Sequence, residues 1–303
     1  MENKLSMKIK GITIVMEKDK VGVIILNYRA FKETIECVES FKKQSYPYVE
    51  IVVVENGSQN ESAKFLQNAF KGERNIHIII SNVNLGFAKG NNLGIQYARK
   101  ELGCKDVVVI NSDTVVQPTI IEELVSAKEK NVALLSPTVI NLNGQLQQPS
   151  ENAENMPREI ARVCKNIFVT SIINSKFFTF LKRKNNRSSV ICTNSNKLEV
   201  KAFYLQGCSY MLTEEFFKHY TGLYPETFLY WEELNLLWYV YKAGLKTKYV
   251  STSPVLHKVA VSTGELLGLE ARRKKKEKLV YGGMRKSIPL YFMSYAKIRD
   301  KYN

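Results

Sequence analysis

The sequence predicts an α/β fold in which a mixed, mainly parallel sheet is flanked by helices. Two short apolar runs, VGVIIL at 21–26 and IVVV at 51–54, are typical of strands that are buried on both faces of such a sheet. Between them, apolar residues recur at helical spacing from Phe31 to Phe41. A strand, a helix and a second strand in this order form a βαβ unit, which makes the strands parallel and the crossover right-handed.

The alternation of helices and strands continues after this unit. The further elements predicted in chain order are a helix at 62–70, a strand at 76–80, a helix at 88–100 and a strand at 107–110. This pattern gives a doubly wound sheet, whose ligand crevice lies beyond the carboxyl ends of the strands. Polar residues follow those ends: Asn27, Tyr28, Glu55, Asn56, Ser81, Asn82, Asn111, Ser112 and Asp113. We therefore expect a polar ligand at this edge of the sheet.

The second half of the chain has a different pattern. We predict polar loops at 141–155 and 183–196, an apolar helical stretch between them at 160–181, and a return to order at 198–205. The segment FLYWEELNL at 228–236 leads into a helix that ends near Gly244, and a last strand is predicted at 246–250. The predicted organisation is an N-terminal extension at 1–20, one domain at 21–265 with halves at 21–140 and 141–265, and a basic, helical tail at 266–303.

The net charge of +15 indicates an anionic partner, such as nucleic acid, an acidic membrane face or a phosphorylated substrate. Residues 267–303 contain eleven Lys or Arg and three acids, a net +8 that is about half of the total. No nucleic-acid reader motif is recognisable, and the basic residues of the tail alternate with leucine, tyrosine and phenylalanine. That mixture fits an interfacial helix on an anionic membrane better than a nucleic-acid site. A solvated helical tail or an oligomer contact is the alternative.

No apolar run approaches the roughly 20 residues that span a bilayer, so membrane contact would be peripheral. The five cysteines show no C-x-x-C spacing and no companion histidine. They are typical of buried or idle thiols in a reducing cytosol. We therefore expect a cytoplasmic protein that is peripheral on the inner membrane face.

Two segments at the predicted ligand edge carry groups that can bind a nucleotide. Glu55 directly follows a buried strand, where its carboxylate can accept hydrogen bonds from a ribose or a uracil-like base. The segment NLGFAKGNNLG at 84–94 places three glycines at a helix N-terminus, whose free N–H groups can bind a phosphate or a sugar hydroxyl. The alternatives are a capped turn for Glu55 and a plain glycine-rich connection for 84–94.

Three acids and a histidine have the chemistry of metal-assisted group transfer. Asp113 ends a strand, where a carboxylate can hold Mg²⁺ or Mn²⁺ shared with a diphosphate, although an Asx turn is equally compatible. Glu232 and Glu233 have aromatic neighbours that would raise a carboxyl pKa, which suits a general base, although the helix dipole alone favours acids there. His257 is either a metal or phosphate contact or a structural histidine.

Taken together, these segments resemble glycosyltransferase family 2, the inverting nucleotide-sugar transferases of GT-A fold, and in particular its rhamnosyltransferase-like bacterial members. The resemblance runs from Val21 to about Thr263. It depends on an ordered set of motifs: the opening segment at 25–62, NLGFAKGNNLG at 84–94, VVVINSDTVV at 107–116, LQGCSYMLTEEFF at 205–217 and GLYPETFLYWEELNL at 222–236.

The resemblance implies a role for each matching residue. Glu233 would be the catalytic base, and Asp113 and His257 would hold the divalent metal, Mg²⁺ or Mn²⁺. The residues implied to line the nucleotide-sugar site are Asn27, Tyr28, Glu55, Asn84, Gly86, Gly90, Asn91, Asn111 and Ser112. Those implied to line the acceptor and sugar pocket are Gln206, Gly207, Trp231 and Glu232.

The implied activity is transfer of a sugar, such as rhamnose, from a UDP- or dTDP-sugar to a glycan or lipid-linked acceptor in cell-surface polysaccharide synthesis. The chain departs from the family pattern at Pro225, Glu233, Asn235 and Tyr239, where Asp, Asp, Asp and Arg are usual, respectively. A catalytically weakened homologue that binds a sugar nucleotide or a partner subunit is therefore an alternative. A nucleic-acid-binding protein is a further alternative, supported only by charge.

Overall fold

The computed structural model of the chain describes residues 4–9, 12–17, 19–148, 205, 207–258 and 269–303. The helical stretch predicted at 160–181, the loop predicted at 183–196 and nearly all of the segment 198–205 lie outside these residues. The polar loop predicted at 141–155 is described as far as Gln148.

The described elements include those predicted between 21 and 110 and several that the sequence did not indicate. The strands are β1 (Lys4–Ile9), β2 (Ile12–Glu17), β3 (Val21–Asn27), β4 (Val49–Asn56), β5 (Ile76–Ser81), β6 (Asp106–Asn111), β7 (Thr114–Val115), β8 (Val132–Ser136), β9 (Val139–Asn141), β10 (Leu146–Gln148), β11 (Ser209–Leu212), β12 (Lys246–Tyr249) and β13 (Val255–His257). The helices are α1 (Phe31–Phe41), α2 (Ser62–Ala69), α3 (Phe87–Lys100), α4 (Ile120–Ser126), α5 (Glu214–Phe217), α6 (Glu232–Lys242), α7 (Leu269–Phe292) and α8 (Tyr295–Tyr302). Each element predicted between 21 and 110 is present, with ends displaced by no more than about two residues. Elements that the sequence did not indicate include β1, β2, β7, α4 and β8 to β10.

Seven strands form the central sheet in the order β12-β8-β11-β6-β3-β4-β5. β3 runs parallel to β4 and β6, β4 runs parallel to β5, and β12 runs parallel to β8. Only β11 is antiparallel to both of its neighbours within this sheet. The predicted mixed, mainly parallel sheet is confirmed.

Both faces of this sheet are covered. Side chains along a strand alternate between the two faces, so neighbouring residues of β3 enter different cores. Ile24 of β3 belongs to a core that includes Ile95 of α3 and Leu234 of α6. Its neighbours Val23 and Ile25 belong to the opposite core. Continuous apolar strands therefore mark burial on both faces, as the sequence indicates.

A smaller sheet, in the order β10-β9-β13-β7, crosses the end of the domain where the ligand is expected. In this sheet His257 pairs in register with Thr114 of β7 and with Asn141 of β9. Thr114 directly follows Asp113. The pairing therefore carries a histidine from the far end of the chain to the carboxyl end of β6.

The basic tail contains two helices, α7 and α8, and these pack against the body of the domain. Met284, Leu290, Tyr291 and Ile298 are buried in the same core as α6. Leu290 and Tyr291 are among the apolar residues that the sequence analysis assigned to a membrane-facing mixture, and they face the protein instead. Phe292, by contrast, is 76% exposed. No helix in the described ranges is long and apolar enough to span a membrane.

Candidate active site

The ends of five elements converge at one edge of the central sheet. β3, β4 and β6 run parallel and end there at Asn27, Asn56 and Asn111. β11 is antiparallel, so it begins at this edge, and the Asn111 N–H donates to the Cys208 carbonyl just before it (2.9 Å). α6 begins nearby with Glu232. The topology thus gathers the predicted polar residues in one crevice, as expected for a doubly wound sheet.

Asp113 and His257 face each other across this crevice. The Asp113 Oδ1 to His257 Nε2 distance is 3.6 Å, and the Lys258 N–H donates to the Asp113 carbonyl (2.9 Å). On its other side, His257 Nδ1 lies 2.9 Å from Gln147 Oε1. Because an amide oxygen only accepts, a proton on Nδ1 satisfies this contact, and Nε2 is the ring nitrogen that faces Asp113.

This arrangement fits a divalent cation that keeps most of its shell for other ligands. Among the described residues, no cluster of three or more His, Cys, Asp or Glu side chains could hold a metal ion. Mg²⁺ and Mn²⁺ take oxygen ligands readily and often bind through one or two protein groups with water and phosphate oxygens. A histidine whose second nitrogen is fixed by an amide oxygen is typical of metal sites. Asp113 and His257 therefore suit a metal shared with a bound diphosphate.

Glu232 and Glu233 occupy the first turn of α6 and have different surroundings. Glu232 is buried, and its Oε1 has no hydrogen-bond partner within the described part of the chain. Burial raises the pKa of Glu232 to about 8, and the Glu233 carboxylate adds to the shift. Glu233 is partly exposed to the crevice. Burial also raises its pKa, while a hydrogen bond from the Gly207 backbone opposes the shift.

Gly207 makes room for the Glu233 side chain. A Cβ atom at position 207 would lie 2.2 Å from Glu233 Oε1. The carbonyl of the next residue, Cys208, accepts a hydrogen bond from the N–H of Asn111, which lies two residues before Asp113. The segment before β11 thus contacts both the candidate base and the strand end that leads to the candidate metal ligand.

In the predicted nucleoside pocket, one side-chain amide has a nitrogen without a hydrogen-bond partner in the described residues, and one carboxylate already accepts hydrogen bonds from the backbone. Asn27 is buried; its Oδ1 accepts from Thr34 Oγ1 (2.8 Å), and its Nδ2 has no partner among the described residues. Glu55 is also buried and accepts from the N–H groups of Gly57 and Ser58 (both 2.9 Å). Tyr28 is half-buried at the end of β3. Glu55 therefore caps the turn in this structure, which is the alternative that the sequence left open.

In the glycine-rich segment, the amides before α3 and the first amide of α3 already have protein acceptors. The Leu85 N–H donates to Asn56 Oδ1 (3.0 Å), the Gly86 N–H donates to Asn84 Oδ1 (2.9 Å), and the Phe87 N–H donates to the Phe228 carbonyl (2.7 Å). Three consecutive amides thus have protein acceptors. The expectation of free amides at the first residue of α3 is corrected accordingly, because the chain folds the loop before α6 onto this terminus.

The remaining residues of the predicted donor site lie on α3 and after β6. Gly90 packs against the sheet, since a Cβ there would lie 2.6 Å from Leu26 Cδ1. Asn91 is buried, donates to the Phe87 carbonyl (2.9 Å) and has an Oδ1 without a partner in the described ranges. Asn111 is partly exposed and Ser112 is buried at the edge of the crevice. Asn91 therefore has free hydrogen-bonding capacity, whereas Gly90 has a packing role.

Of the predicted acceptor pocket, Trp231 is oriented by α7, because its Nε1–H donates to the Val280 carbonyl (2.8 Å). Trp231 and Tyr230 have φ values of 75° and 73°, in the left-handed region that non-glycine residues rarely adopt. Such strain is often found at functional sites. Gln206 lies outside the described residues.

The sequence predicted no contact for three residues that shape the site: Asn56, Gln147 and Phe228. Asn56 follows Glu55 and orders the glycine-rich loop through Asn84 and the Gly86 carbonyl. Gln147 lies in a segment that was predicted to be a loop, and its contact with His257 depends on the pairing of distant strands. The only sequence signal was for Asn56, a polar residue at a strand end.

Comparison with known proteins agrees with this geometry. The profile described as Glycosyl transferase family 2 matches residues 22–199, more than half of the chain. A hexosyltransferase of low-salt glycan biosynthesis, Agl10 of Haloferax volcanii, is 30% identical over 127 residues, which cover 42% of this chain and 38% of the relative. Glycosyltransferase GlyG of Streptococcus pneumoniae is 27% identical over 117 residues, 38% of each chain. The chain thus spans about two fifths of the length of these relatives.

Solved structures support the fold at lower identity. The crystal structure of S. aureus TarS has a TM-score of 0.53 at 15% identity, covering 79% of this chain and 37% of TarS. GalNAc-T7, solved with UDP, GalNAc and Mn²⁺, has a TM-score of 0.54 at 15% identity, covering 79% of this chain and 44% of the other. With the sheet order and the family match, these comparisons show that the chain belongs to glycosyl transferase family 2 and has the GT-A fold.

Proposed function

We propose that this protein is an inverting glycosyltransferase that moves a sugar from a nucleotide sugar to an acceptor hydroxyl. The observation that carries the proposal is the pairing of Asp113 with His257 in the same crevice as Glu233. Gly207 contacts the Glu233 carboxylate, and the next residue, Cys208, pairs with Asn111 at the strand end that leads to Asp113. Donor cleavage and acceptor activation need the metal-and-diphosphate site and the carboxylate in one crevice.

In the proposed reaction, the Glu233 carboxylate accepts the proton of the acceptor hydroxyl. The hydroxyl oxygen forms a bond to the sugar C1 as the bond from C1 to the diphosphate oxygen breaks, and the electron pair leaves with the nucleoside diphosphate. Attack opposite to the leaving group inverts the anomeric centre. The raised pKa of Glu233 suits a general base that works near neutral pH.

Asp113 and His257 would hold Mg²⁺ or Mn²⁺. When bound, the ion would supply positive charge to the leaving diphosphate. A His257 proton on Nδ1, donated to Gln147, leaves Nε2 available as a ligand. The Mn²⁺ in the GalNAc-T7 structure supports a divalent metal in this fold.

The proposed donor is a UDP- or dTDP-sugar, with rhamnose among the candidate sugars, and the proposed acceptor is a glycan or a lipid-linked glycan of the cell surface. The relatives named for glycan biosynthesis and hexosyl transfer support this class. The family assignment and the UDP in the GalNAc-T7 structure support a nucleotide-linked donor.

A donor screen tests the proposal. The purified chain is incubated with UDP- and dTDP-sugars and Mg²⁺ or Mn²⁺, with and without acceptor glycans, and release of nucleoside diphosphate is measured. We expect release with at least one donor, loss of release with EDTA, and a large loss in Asp113→Asn. Donor binding without turnover for any acceptor would instead favour a weakened homologue that binds sugar nucleotides.

We also propose that the exposed face of α7 contacts an anionic membrane, where a lipid-linked acceptor would be presented. Lys276, Lys278, Arg285 and Lys286 are exposed, and Phe292 is the apolar residue beside them with 76% exposure. Basic residues near an anionic leaflet contribute about 1 kcal/mol each, and an exposed aromatic ring can enter the interface.

Co-sedimentation with vesicles tests this contact. The wild type should sediment with vesicles that contain anionic lipid and much less with neutral ones. The double variant Arg285→Glu with Lys286→Glu should lose binding. The control, Lys43→Glu with Lys71→Glu, makes the same charge change on exposed residues elsewhere, and it should bind the vesicles better than the α7 variant does. Equal binding of the two variants would rule out this face.

A further inference from the structure

The base-bearing helix α6 is joined to α7 by a fully buried amide. Asn235 has no exposed surface, and both ends of its side chain bind α7. Its Nδ2 donates to Ser287 Oγ (2.9 Å), and its Oδ1 accepts from the Tyr291 hydroxyl (2.9 Å). A buried polar group with both partners satisfied fixes one arrangement of the two helices, because any other arrangement leaves a polar atom without a partner.

A neutral amide suits this position better than a carboxylate. Ser287 Oγ already donates its proton to the Gly283 carbonyl (3.0 Å), so it can only accept from residue 235. An aspartate offers no donor, and it would bring a charge into a core lined by Trp238 and Leu290. The departure at Asn235 is therefore matched by Ser287 and Tyr291 on α7.

The same contacts extend to the strained turn that precedes Glu232 and Glu233. The Asn235 N–H donates to the Trp231 carbonyl (3.0 Å), and Trp231 Nε1–H donates to the Val280 carbonyl (2.8 Å). At Gly283, a Cβ atom would lie 3.0 Å from the Tyr230 carbonyl oxygen, so α7 approaches the turn closely there. α7 thus holds both the left-handed residues 230–231 and the first turn of α6.

We infer that Asn235 is a positioning residue, which acts through Ser287 and Tyr291 to hold the turn that presents Glu232 and Glu233 to the crevice. The inference rests on the proposed function for its effect on the reaction. It assigns to the tail helix α7 a part in the active site, besides any contact that its exposed face makes.

Two substitutions that each remove one hydroxyl group, and one matched control substitution, test this inference in the full chain. Tyr291→Phe and Ser287→Ala each remove one partner of the Asn235 amide. Tyr224→Phe removes a hydroxyl that also donates to α7, at the Lys286 carbonyl (2.7 Å), but by a route that does not include Asn235. For each variant, the donor KM and the kcat of nucleoside diphosphate release are measured at a temperature the same interval below its own Tm.

We expect kcat to fall by about 10- to 100-fold in Tyr291→Phe and Ser287→Ala with donor KM unchanged, because a shift near 1 Å at the base slows chemistry without loosening the donor. Tyr224→Phe should keep the wild-type kcat. If Tyr291→Phe and Tyr224→Phe have the same kcat, the Asn235 contacts are only structural and the inference is wrong.

A second measurement separates this inference from the proposed function. The chain has two tryptophans, so Trp238→Phe leaves Trp231 as the only tryptophan, and excitation beyond the tyrosine absorption band selects its emission. In that background, Tyr291→Phe and Ser287→Ala should shift the Trp231 emission to longer wavelength as the turn loosens, and Tyr224→Phe should not. An unchanged emission in all three variants overturns the inference. A wild type that releases no nucleoside diphosphate refutes the proposed function, while the emission still decides whether Asn235 holds the turn.

Discussion

Gly207 and Glu233 are in contact at the centre of the proposed site, and their spacing leaves no room for a side chain at position 207. A Cβ there would lie 2.2 Å from Glu233 Oε1. Gly207 does not have a positive φ, so alanine meets a steric obstacle but no backbone strain. We predict that Gly207→Ala moves the Glu233 carboxylate and lowers kcat by roughly 100-fold, with donor affinity kept.

The control for this substitution is Gly282→Ala on α7, where an added Cβ has no atom within 4 Å. It should keep wild-type kcat and stabilise the helix by roughly 0.5–1 kcal/mol. Wild-type kcat in Gly207→Ala would mean that Glu233 does not need its present position.

Glu232 makes the stability of the protein depend on pH. Burial raises its pKa in the folded state to about 8, above the ordinary value of 4.5. Between these values the folded state holds a proton that the unfolded state has released, so stability falls as pH rises, by about 1.4 kcal/mol per pH unit from this group alone. We predict that the wild type loses stability between pH 5 and pH 8 and that Glu232→Gln loses much less.

Urea unfolding across this pH range measures the effect. Glu226→Gln removes a carboxylate from the loop before α6 and is the control for the loss of one acidic side chain. If the free energy of unfolding changes with pH in the same way in the wild type and in Glu232→Gln, Glu232 does not carry the proton that this prediction assigns to it.

The individual site residues were predictable where a strand end specifies them. Asp113 and Glu55 follow apolar runs, and the structure places both at the ligand edge. What the sequence left open was the partner of each group. Whether the first amide of α3 is free depends on Phe228 in the distant loop before α6, and no local pattern encodes such a contact. The Glu55 cap is local, because its partners are Gly57 and Ser58, and the sequence allowed it beside a ligand contact.

At the scale of elements, the N-terminus of α3 packs closely against the loop before α6. Gly86 has a φ of 81°, and a Cβ there would lie 2.3 Å from the Phe228 carbonyl oxygen. Gly103 also has a positive φ (69°) but has no atom within 4 Å of an added Cβ. We predict that Gly103→Ala costs about 1 kcal/mol of backbone strain. Gly86→Ala should cost roughly 1–3 kcal/mol more, from the clash with Phe228 and from a backbone conformation that is essentially restricted to glycine.

Urea unfolding of the two variants measures this difference. The Gly86 backbone (φ 81°, ψ −174°) lies in a region that is essentially restricted to glycine, so the extra cost at Gly86 combines backbone strain with the clash at Phe228. Equal destabilisation would show that Phe228 can move away from α3 freely. The sequence predicted both elements but not the contact between them, since glycine at a helix start is equally compatible with a phosphate contact and with close packing.

At the scale of the whole molecule, the basic tail is part of the folded domain. Composition predicted its charge and helicity, and it also indicated a membrane-facing apolar mixture. The apolar residues divide instead: Leu290 is fully buried against α6, and Phe292 is exposed. Helical periodicity alone does not say which surface an apolar stripe covers, because a protein core and a membrane select the same residues.

We predict that Leu290→Ala destabilises the whole chain by about 2–5 kcal/mol, in a single unfolding transition, because it opens a cavity in the shared core. Phe292→Ala changes an exposed ring and should alter stability by no more than about 0.5 kcal/mol. Calorimetry of both variants checks this. A tail that unfolds separately, or a Leu290→Ala variant as stable as the wild type, would contradict the packing of α7 against α6.

The central claim is that Glu233 is the base of a sugar transfer whose donor binds at Asp113 and His257. The most direct test compares wild type with Glu233→Gln, measuring donor affinity by titration and nucleoside diphosphate release with acceptor. We predict unchanged donor affinity, a loss of at least about 100-fold in kcat, and an inverted anomeric centre in the wild-type product. Full turnover by Glu233→Gln, or a product with retained configuration, would contradict the claim.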